Sequence, residues 1–358
     1  MKTALITGIL GQDGTYLARW LLRKGYAVHG VIRGTAQAER GRIHARFPPD
    51  ERRRIRFHAA VLEEGRSLAR ALEVASPDEV YHLAGVSDSR WSFTNPEQTF
   101  DSITLGSLRL LEAVRRSGRP IRLFLASSCE VFGVPANVPQ TESTRREPVT
   151  PYGIAKAAVD RLAHLYRGHH GQFIATGILY NHESPLRPAN YLSARVAQAV
   201  ASIKNGTQHE LILGTLDARR DWSDARDFAR GFHLALQATQ PGDYIFASGR
   251  SRTVGELVKC AFRAAGLDDK KWVRVDAARV GAVPVPEGLC GDTSKAERVL
   301  GWKRTWSFEQ TIADMVRAEI GQRPFLQRSD PSPRGRAVLA GPSRSRSVSR
   351  QPRLNRGR

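Results

Sequence analysis

The chain has 358 residues, with 55 basic against 35 acidic side chains and a formal net charge of +20. That length suits one large domain or two sharing a core, and the charge favours anionic ligands such as nucleotides or nucleic acid. Three cysteines, Cys129, Cys260 and Cys290, cannot all pair and lack metal-ligand spacing, which excludes a disulfide scaffold, predicts no metal and fits a reducing cytoplasm.

The opening residues have no signal-peptide apolar region, and no later run approaches membrane-spanning length. Thr3 to Ile6 reads as a short strand, followed by Thr7-Gly8-Ile9-Leu10-Gly11-Gln12-Asp13-Gly14 and an amphipathic helix from about Thr15 to Lys24. Glycines at 8, 11 and 14 let the turn tighten, let backbone approach a pyrophosphate, and let helix pack on strand. The anion then meets a helix N-terminus. The next strand, Ala27 to Ile32, ends in Arg33. An acidic residue there would bind the ribose 2′-hydroxyl of NAD, whereas an Arg pairs with the 2′-phosphate of NADP, so NADP is the expected cofactor.

Residues 34 to 56 show no clear strand and form an Arg-rich basic loop. Strands follow at Arg56 to Ala60, Glu79 to Ala84 and Ile121 to Ala126, separated by helical stretches near 62 to 76 and 96 to 117. This alternation predicts an α/β protein built on a parallel, doubly wound Rossmann sheet.

At the end of the Ile121 to Ala126 strand, Ser128 and Glu130 leave the carboxyl edge of the sheet, and Tyr152 and Lys156 lie four apart on the following helix. That spacing puts phenol and ammonium on one face, where the ammonium would favour the ionised phenol. Alone, Tyr-x-x-x-Lys also describes a surface pair on an amphipathic helix; the glycine loop tips the balance toward a base. Phe173 to Tyr180 is a further strand, leading into Asn181-His182-Glu183-Ser184-Pro185. From about 186 the pattern is less regular, with breaks at 241 to 249 and 281 to 291, and reads as a smaller C-terminal substrate-binding lobe where Arg195, Arg219 and Arg220 gather charge suited to a diphosphate. The division is then 1–185 for NADP, 186–325 for substrate, partly interwoven with the first, and 326–358 as a disordered tail. Leu326 to Arg358 holds nine Arg and one Asp among Ser, Pro and Gly, a composition that buries no core. It reads as a solvated extension; a nucleic-acid arm is the other reading.

Several motifs carry a resemblance. They are Ala4 to Gly14, Leu108-Arg109-Leu110-Leu111-Glu112-Ala113, Tyr152-Gly153-Ile154-Ala155-Lys156, Asn181-His182-Glu183-Ser184-Pro185 and Leu216-Asp217-Ala218-Arg219-Arg220-Asp221-Trp222. The chain resembles an extended short-chain dehydrogenase/reductase and, within that superfamily, the GDP-mannose 4,6-dehydratases, over roughly residues 1 to 322. The resemblance implies a hydro-lyase that converts a nucleotide sugar to its 4-keto-6-deoxy form. Ser128, Glu130, Tyr152 and Lys156 would be catalytic. Gly8, Gly11, Gln12, Asp13, Gly14, Arg33, Leu83, Ala84, Ser87, Tyr152, Lys156, His182 and Arg187 would hold NADP, and Asn181, Arg195 and Arg220 the substrate. A homo-oligomer is implied, with no membrane and no nucleic-acid partner. An epimerase or reductase on the same scaffold, or a non-catalytic cofactor-binding protein, are the alternatives.

The chain departs from the family pattern at Ala60, Val86, Asp88, Gln98, Cys129 and Leu186. Residues 281 to 287 replace an Arg-Pro-x-Glu motif that serves the nucleotide end of the substrate. Cys129 reads as a small packing residue.

Overall fold

The structure is a computed structural model that describes residues 1–134, 137–279 and 288–321. The Arg-rich tail and the segment that replaces the Arg-Pro-x-Glu motif lie outside these residues. Seven parallel strands form the central sheet: β1 (Thr3–Thr7), β2 (Ala27–Ile32), β3 (Ile55–Ala59), β4 (Glu79–His82), β5 (Arg122–Ala126), β6 (Ile174–Leu179) and, after three short strands, β10 (Asp243–Phe246). The short strands are β7 (Asn181–Glu183), β8 (Leu211–Leu213) and β9 (Arg219–Asp224). β9 bridges β7 and β11 (Ser251–Thr253), while β8 pairs with β12 (Val273–Val275).

The order across the sheet is β10-β6-β5-β4-β1-β2-β3. The order of strand addition therefore reverses between β1 and β4, and the crevice at their carboxyl ends is where doubly wound sheets bind ligands. The loops after β1, β4, β5 and β6 all open there.

Both faces of the sheet are covered, which is why its strands are near-continuous apolar runs. On one face, Leu17 and Leu21 of helix Gln12–Arg23 meet Phe228 and Phe232 of helix Ala225–Gln237. The Phe124 and Phe232 rings stack at 4.6 Å through that layer. The other face carries helices Gly65–Ala75, Gly106–Arg116 and Pro151–His170, through Leu68, Leu110, Ala155 and Val159. Helices Leu192–Lys204, Val254–Ala265 and Phe308–Glu319 close a third core of Val196, Leu257, Phe262 and Met315.

Several elements differ from the sequence expectation. The first helix starts at Gln12, three residues early, because the Gly11 amide already closes the turn on the Gly8 carbonyl at 2.9 Å. The basic loop contains two short helices, Arg40–Arg46 and Pro49–Arg53, anchored by buried Ile43 and Phe47, with proline at the favoured first position of the second. The 96 to 117 helix is broken by a wide π turn at Asp101–Leu105. β10 falls inside a stretch taken as a Pro/Gly break: four residues bounded by turn formers leave too little pattern to register as a strand. Among the described residues, no helix is long and apolar enough to cross a membrane.

Candidate active site

The site begins with the turn after β1. Gly8 has φ +73°, and a Cβ on Gly14 would lie 2.3 Å from the Gly8 carbonyl oxygen. Only glycine permits this close approach of loop and helix. Gln12 and Asp13 then tie the loop to the strand after β6. The Gln12 amide donates to the His182 carbonyl at 2.9 Å and accepts from Ser184 at 2.7 Å, while Asp13 pairs with His182 Nε2 at 2.9 Å. Burial works to raise the Asp13 carboxyl, but the His182 charge and hydrogen bond, with Arg187 and Gln12, together outweigh it and the pKa ends below its ordinary value. Burial likewise opposes the His182 charge, and Asp13 more than offsets it, leaving the imidazole above its ordinary value.

The turn after β5 carries the reactive set. Ser128 caps a short 3₁₀ turn over Cys129–Phe132 by accepting from the Glu130 amide at 3.2 Å. One carboxylate oxygen of Glu130 accepts from Ser89 at 2.7 Å and from Thr150 at 3.0 Å. Thr150 also caps the Tyr152 helix, accepting from the Gly153 amide at 2.9 Å, so one hydroxyl fixes the carboxylate relative to the helix. The approach is tight: a Cβ on Gly153 would lie 2.7 Å from the Glu130 carbonyl oxygen.

Burial raises the Glu130 pKa and Asp88 adds to the rise, against Ser89, Thr150 and Arg220, which favour the carboxylate. Burial also raises the Tyr152 phenol; the Glu130 charge adds to it and the Ser128 hydroxyl opposes it. The Lys156 ammonium stands 5.9 Å from the Tyr152 ring centroid and donates to the Ala126 carbonyl at 2.6 Å. The effect expected from the Tyr-x-x-x-Lys spacing, an ammonium holding the phenol down, is thus outweighed by burial. Burial pulls Lys156 itself down to about 8, opposed by Asp160. Cys129 is buried beside Val131 and Phe132, and burial followed by the Glu130 charge pushes its thiol up, which suits packing rather than nucleophilic chemistry.

Arg33 ends β2 with its side chain largely exposed and 3.6 Å from Glu63. Leu83 and Ala84 direct their amides onto the Thr7 hydroxyl at 3.1 and 3.2 Å. Arg187 pairs with Glu183 at 3.2 Å and lies 3.7 Å over the Tyr191 ring, whose hydroxyl donates to the Ser87 carbonyl at 2.7 Å. Asn181 opens β7, Arg195 lies on helix Leu192–Lys204, and Arg220 lies on β9.

Every catalytic, cofactor and substrate residue that the resemblance implies lines one cleft of about 730 Å³. Arg219 is not among its walls; its guanidinium donates to the Ser251 carbonyl at 2.8 Å.

Sequence reasoning missed Ser89 and Thr150, which hold Glu130, and Tyr191. It also missed Arg90 and Arg279, which line the cleft, as does Arg42 of the basic loop. Ser89 and Thr150 sit outside any motif, and only the fold brings them to the carboxylate. Among the departures, Ala60 and Val86 line the cleft, Leu186 is buried, and Gln98 is exposed on helix Pro96–Phe100. Asp88 caps helix Ser89–Thr94 through the amides of Arg90 and Trp91 and accepts from Asn190 at 2.9 Å.

A doubly wound sheet with a glycine loop at its switch point and a Ser, Tyr and Lys set in the same crevice has the architecture of the extended short-chain dehydrogenase/reductases. The family model described as GDP-mannose 4,6 dehydratase matches residues 5–315, and the chain belongs to that family. It is 41% identical over 326 residues to GDP-mannose 4,6 dehydratase 2 of Arabidopsis thaliana, covering 89% of this chain and 87% of that one. It is 36% identical over 340 residues to a GDP-mannose 4,6-dehydratase of Sinorhizobium fredii, covering 89% and 97%. Among solved structures, a dTDP-glucose 4,6-dehydratase double mutant from Streptomyces venezuelae with NAD and DAU bound is similar, with a TM-score of 0.73 and 26% identity, over 88% of this chain and 95% of that one.

Proposed function

We propose that the protein is an NADP-dependent 4,6-dehydratase acting on GDP-mannose or a close nucleotide sugar. The observation that carries this is Glu130, a half-buried carboxylate held by Ser89 and Thr150 in the cleft that also contains Tyr152. An epimerase or a reductase has no use for a second base followed by loss of water.

A dinucleotide fits the cleft. The bare backbone of the Gly8 to Gly14 loop and the N-terminus of helix Gln12–Arg23 suit its pyrophosphate, and Arg33 suits a 2′-phosphate. Leu83, Ala84, Ser87, His182 and Arg187 complete the cofactor walls; Asn181, Arg195 and Arg220 face the substrate's phosphates and sugar. When bound, the nicotinamide of NADP supplies the hydride acceptor and donor, taking hydride from C4 and returning it at C6. Tyr152, oriented by Ser128 and with Lys156 one helical turn away, takes the proton of the 4-hydroxyl. The C4 ketone so formed acidifies C5. Glu130 takes the C5 proton and passes it to the departing 6-hydroxyl, which leaves as water. The Tyr152 proton then closes the balance at C5, giving the 4-keto-6-deoxy sugar.

Residues 1–185 chiefly serve the cofactor on this reading and 186–325 the sugar nucleotide, the two interwoven where Asn181 faces the substrate and Arg187 the cofactor. A homo-oligomer is supported by Ile154 and Leu165, exposed on one helix at 44% and 55%, with Leu105 exposed at 44% nearby in sequence to the helix beside it. The cytoplasm is supported by three unpaired cysteines. Incubation with a panel of nucleotide sugars, followed by mass spectrometry, tests the assignment. GDP-mannose is expected to lose one water; loss from another sugar instead would reassign the substrate, and loss from none would remove the activity.

A further inference from the structure

Behind Lys156 lies a polar layer that this chemistry does not use. Helix Pro151–His170 carries Tyr152, Lys156, Asp160 and His164 at four-residue spacing, so the four form one stripe. Tyr152 and Lys156 line the cleft. Asp160, one turn deeper, is 2% exposed, and neither of its oxygens has a hydrogen-bond partner. A buried carboxylate left this way is costly unless its charge is used.

Its surroundings come from four other segments. Ser127, just past β5, faces Asp160 and favours its charged form, short of hydrogen-bond geometry. Thr176 of β6 is in register with both Leu125 of β5 and Asp243 of β10, and its hydroxyl is likewise buried without a partner. From the loop before the helix, Arg146 places Nε 3.7 Å from Asp160 and Nη2 3.7 Å from Asp243. Asp243 also pairs with Arg167 at 2.7 Å and lies 3.2 Å from His164 Nε2, so two arginines and an imidazole share that carboxylate. On the far side of Lys156, buried His82 bonds to Thr7 and Ser107 and is kept neutral by burial and by the Lys156 charge.

The Lys156 ammonium is thus half-buried with the Ala126 carbonyl as its hydrogen-bond acceptor and needs a counter-charge. Asp243 is already shared among other cations. Asp160 is the acid one turn along its own stripe. We propose that Asp160 is a positioning residue that keeps the Lys156 ammonium charged beside Tyr152, with Ser127 and Arg146 in turn keeping Asp160 ionised. The inference rests on the assignment of Tyr152 and Lys156 above. Burial lifts Asp160 to about 6 and lowers Lys156 to about 8, so both carry charge across the interval between.

The test follows the Lys156 ammonium by NMR in the lysine-labelled full chain, its signal identified by its loss in Lys156→Arg. In Asp160→Asn the titration midpoint is expected to fall by about one unit or more, and the alkaline limb of kcat/KM to move to lower pH with it. Asp160→Glu is expected to restore both. Should the Asn variant not fold, Asp160→Ser carries the same expectation. An unchanged midpoint in a folded variant, or a lower melting temperature with the limb unmoved, would overturn the proposal. Wild-type protein that dehydrates no sugar would defeat the functional assignment, while the ammonium titration would still decide this one.

Discussion

On the proposed reading Glu130 is the residue on which the dehydratase chemistry turns, because Tyr152 can serve any reaction that begins by oxidising a carbinol. Glu130→Gln keeps the shape and the Ser89 and Thr150 neighbours but cannot accept the C5 proton. Turnover is expected to fall by about 10²–10⁴-fold, the usual contribution of a positioned acid–base group, with cofactor affinity unchanged by calorimetry. Turnover near wild type would move the base elsewhere. Arg33 is the residue proposed to select the cofactor. Loss of one charge-assisted contact, about 1.5–3 kcal/mol, predicts that Arg33→Ala weakens NADP by roughly one to two decades and leaves NAD unchanged. Glu63 lies 3.6 Å from that guanidinium, so Glu63→Gln is expected to tighten NADP. Equal native affinities for the two cofactors would contradict both. The Asp13–His182 pair gives a pH signature. Asp13 has a depressed pKa, so its contribution is present above its ordinary value of 3.8 and is lost as pH falls through the depressed one. His182 has a raised pKa, so its contribution is complete below 6.5 and is lost as pH rises through the raised one. The melting-temperature gap between wild type and Asp13→Asn is therefore expected to be widest between these two values and to narrow on either side.

Among the elements, the contact between the Tyr152 helix and the Glu130 turn sets the spacing of the two bases. Gly153→Ala would put a Cβ 2.7 Å from a backbone oxygen. A cost of about 1–3 kcal/mol in chemical denaturation is expected, together with reduced turnover as the turn is displaced. Gly168 of the same helix has open space around it, so Gly168→Ala is expected to be neutral or stabilising by up to about 1 kcal/mol. Matching losses in the two variants would refute the special role of Gly153. The same contrast separates what the sequence makes visible from what it hides. The inner strands of the central sheet are buried on both faces and announce themselves as apolar runs, and Gly8, Gly14, Tyr152 and Lys156 sit at fixed local spacing. β10 is too short to carry a pattern. Ser89 and Thr150 meet Glu130 across 41 and 20 residues, a relation that spacing cannot express. The setting of Lys156 is hidden for a related reason: periodicity gives its neighbour on the helix, whereas its acceptor, the Ala126 carbonyl, comes from the sheet.

For the whole molecule, the described chain already closes its cores. Ile312, Met315 and Val316 of helix Phe308–Glu319 complete the third one, so a chain ending at Phe325 is expected to melt and turn over like the full chain. A clear loss of either would assign residues 326–358 a structural part, and salt-sensitive nucleic-acid binding lost on truncation would assign them a binding one. The exposed Ile154 and Leu165 predict a homo-oligomer by light scattering, weakened in Ile154→Lys. The central claim is that a single cleft oxidises C4, removes water across C5 and C6, and reduces C6 with the same hydride. It is tested most directly with GDP-mannose deuterated at C4 and catalytic NADP. The account predicts a product lighter by one water that carries the deuterium at C6. Deuterium retained at C4 with the mass unchanged, or released from the sugar, would contradict it.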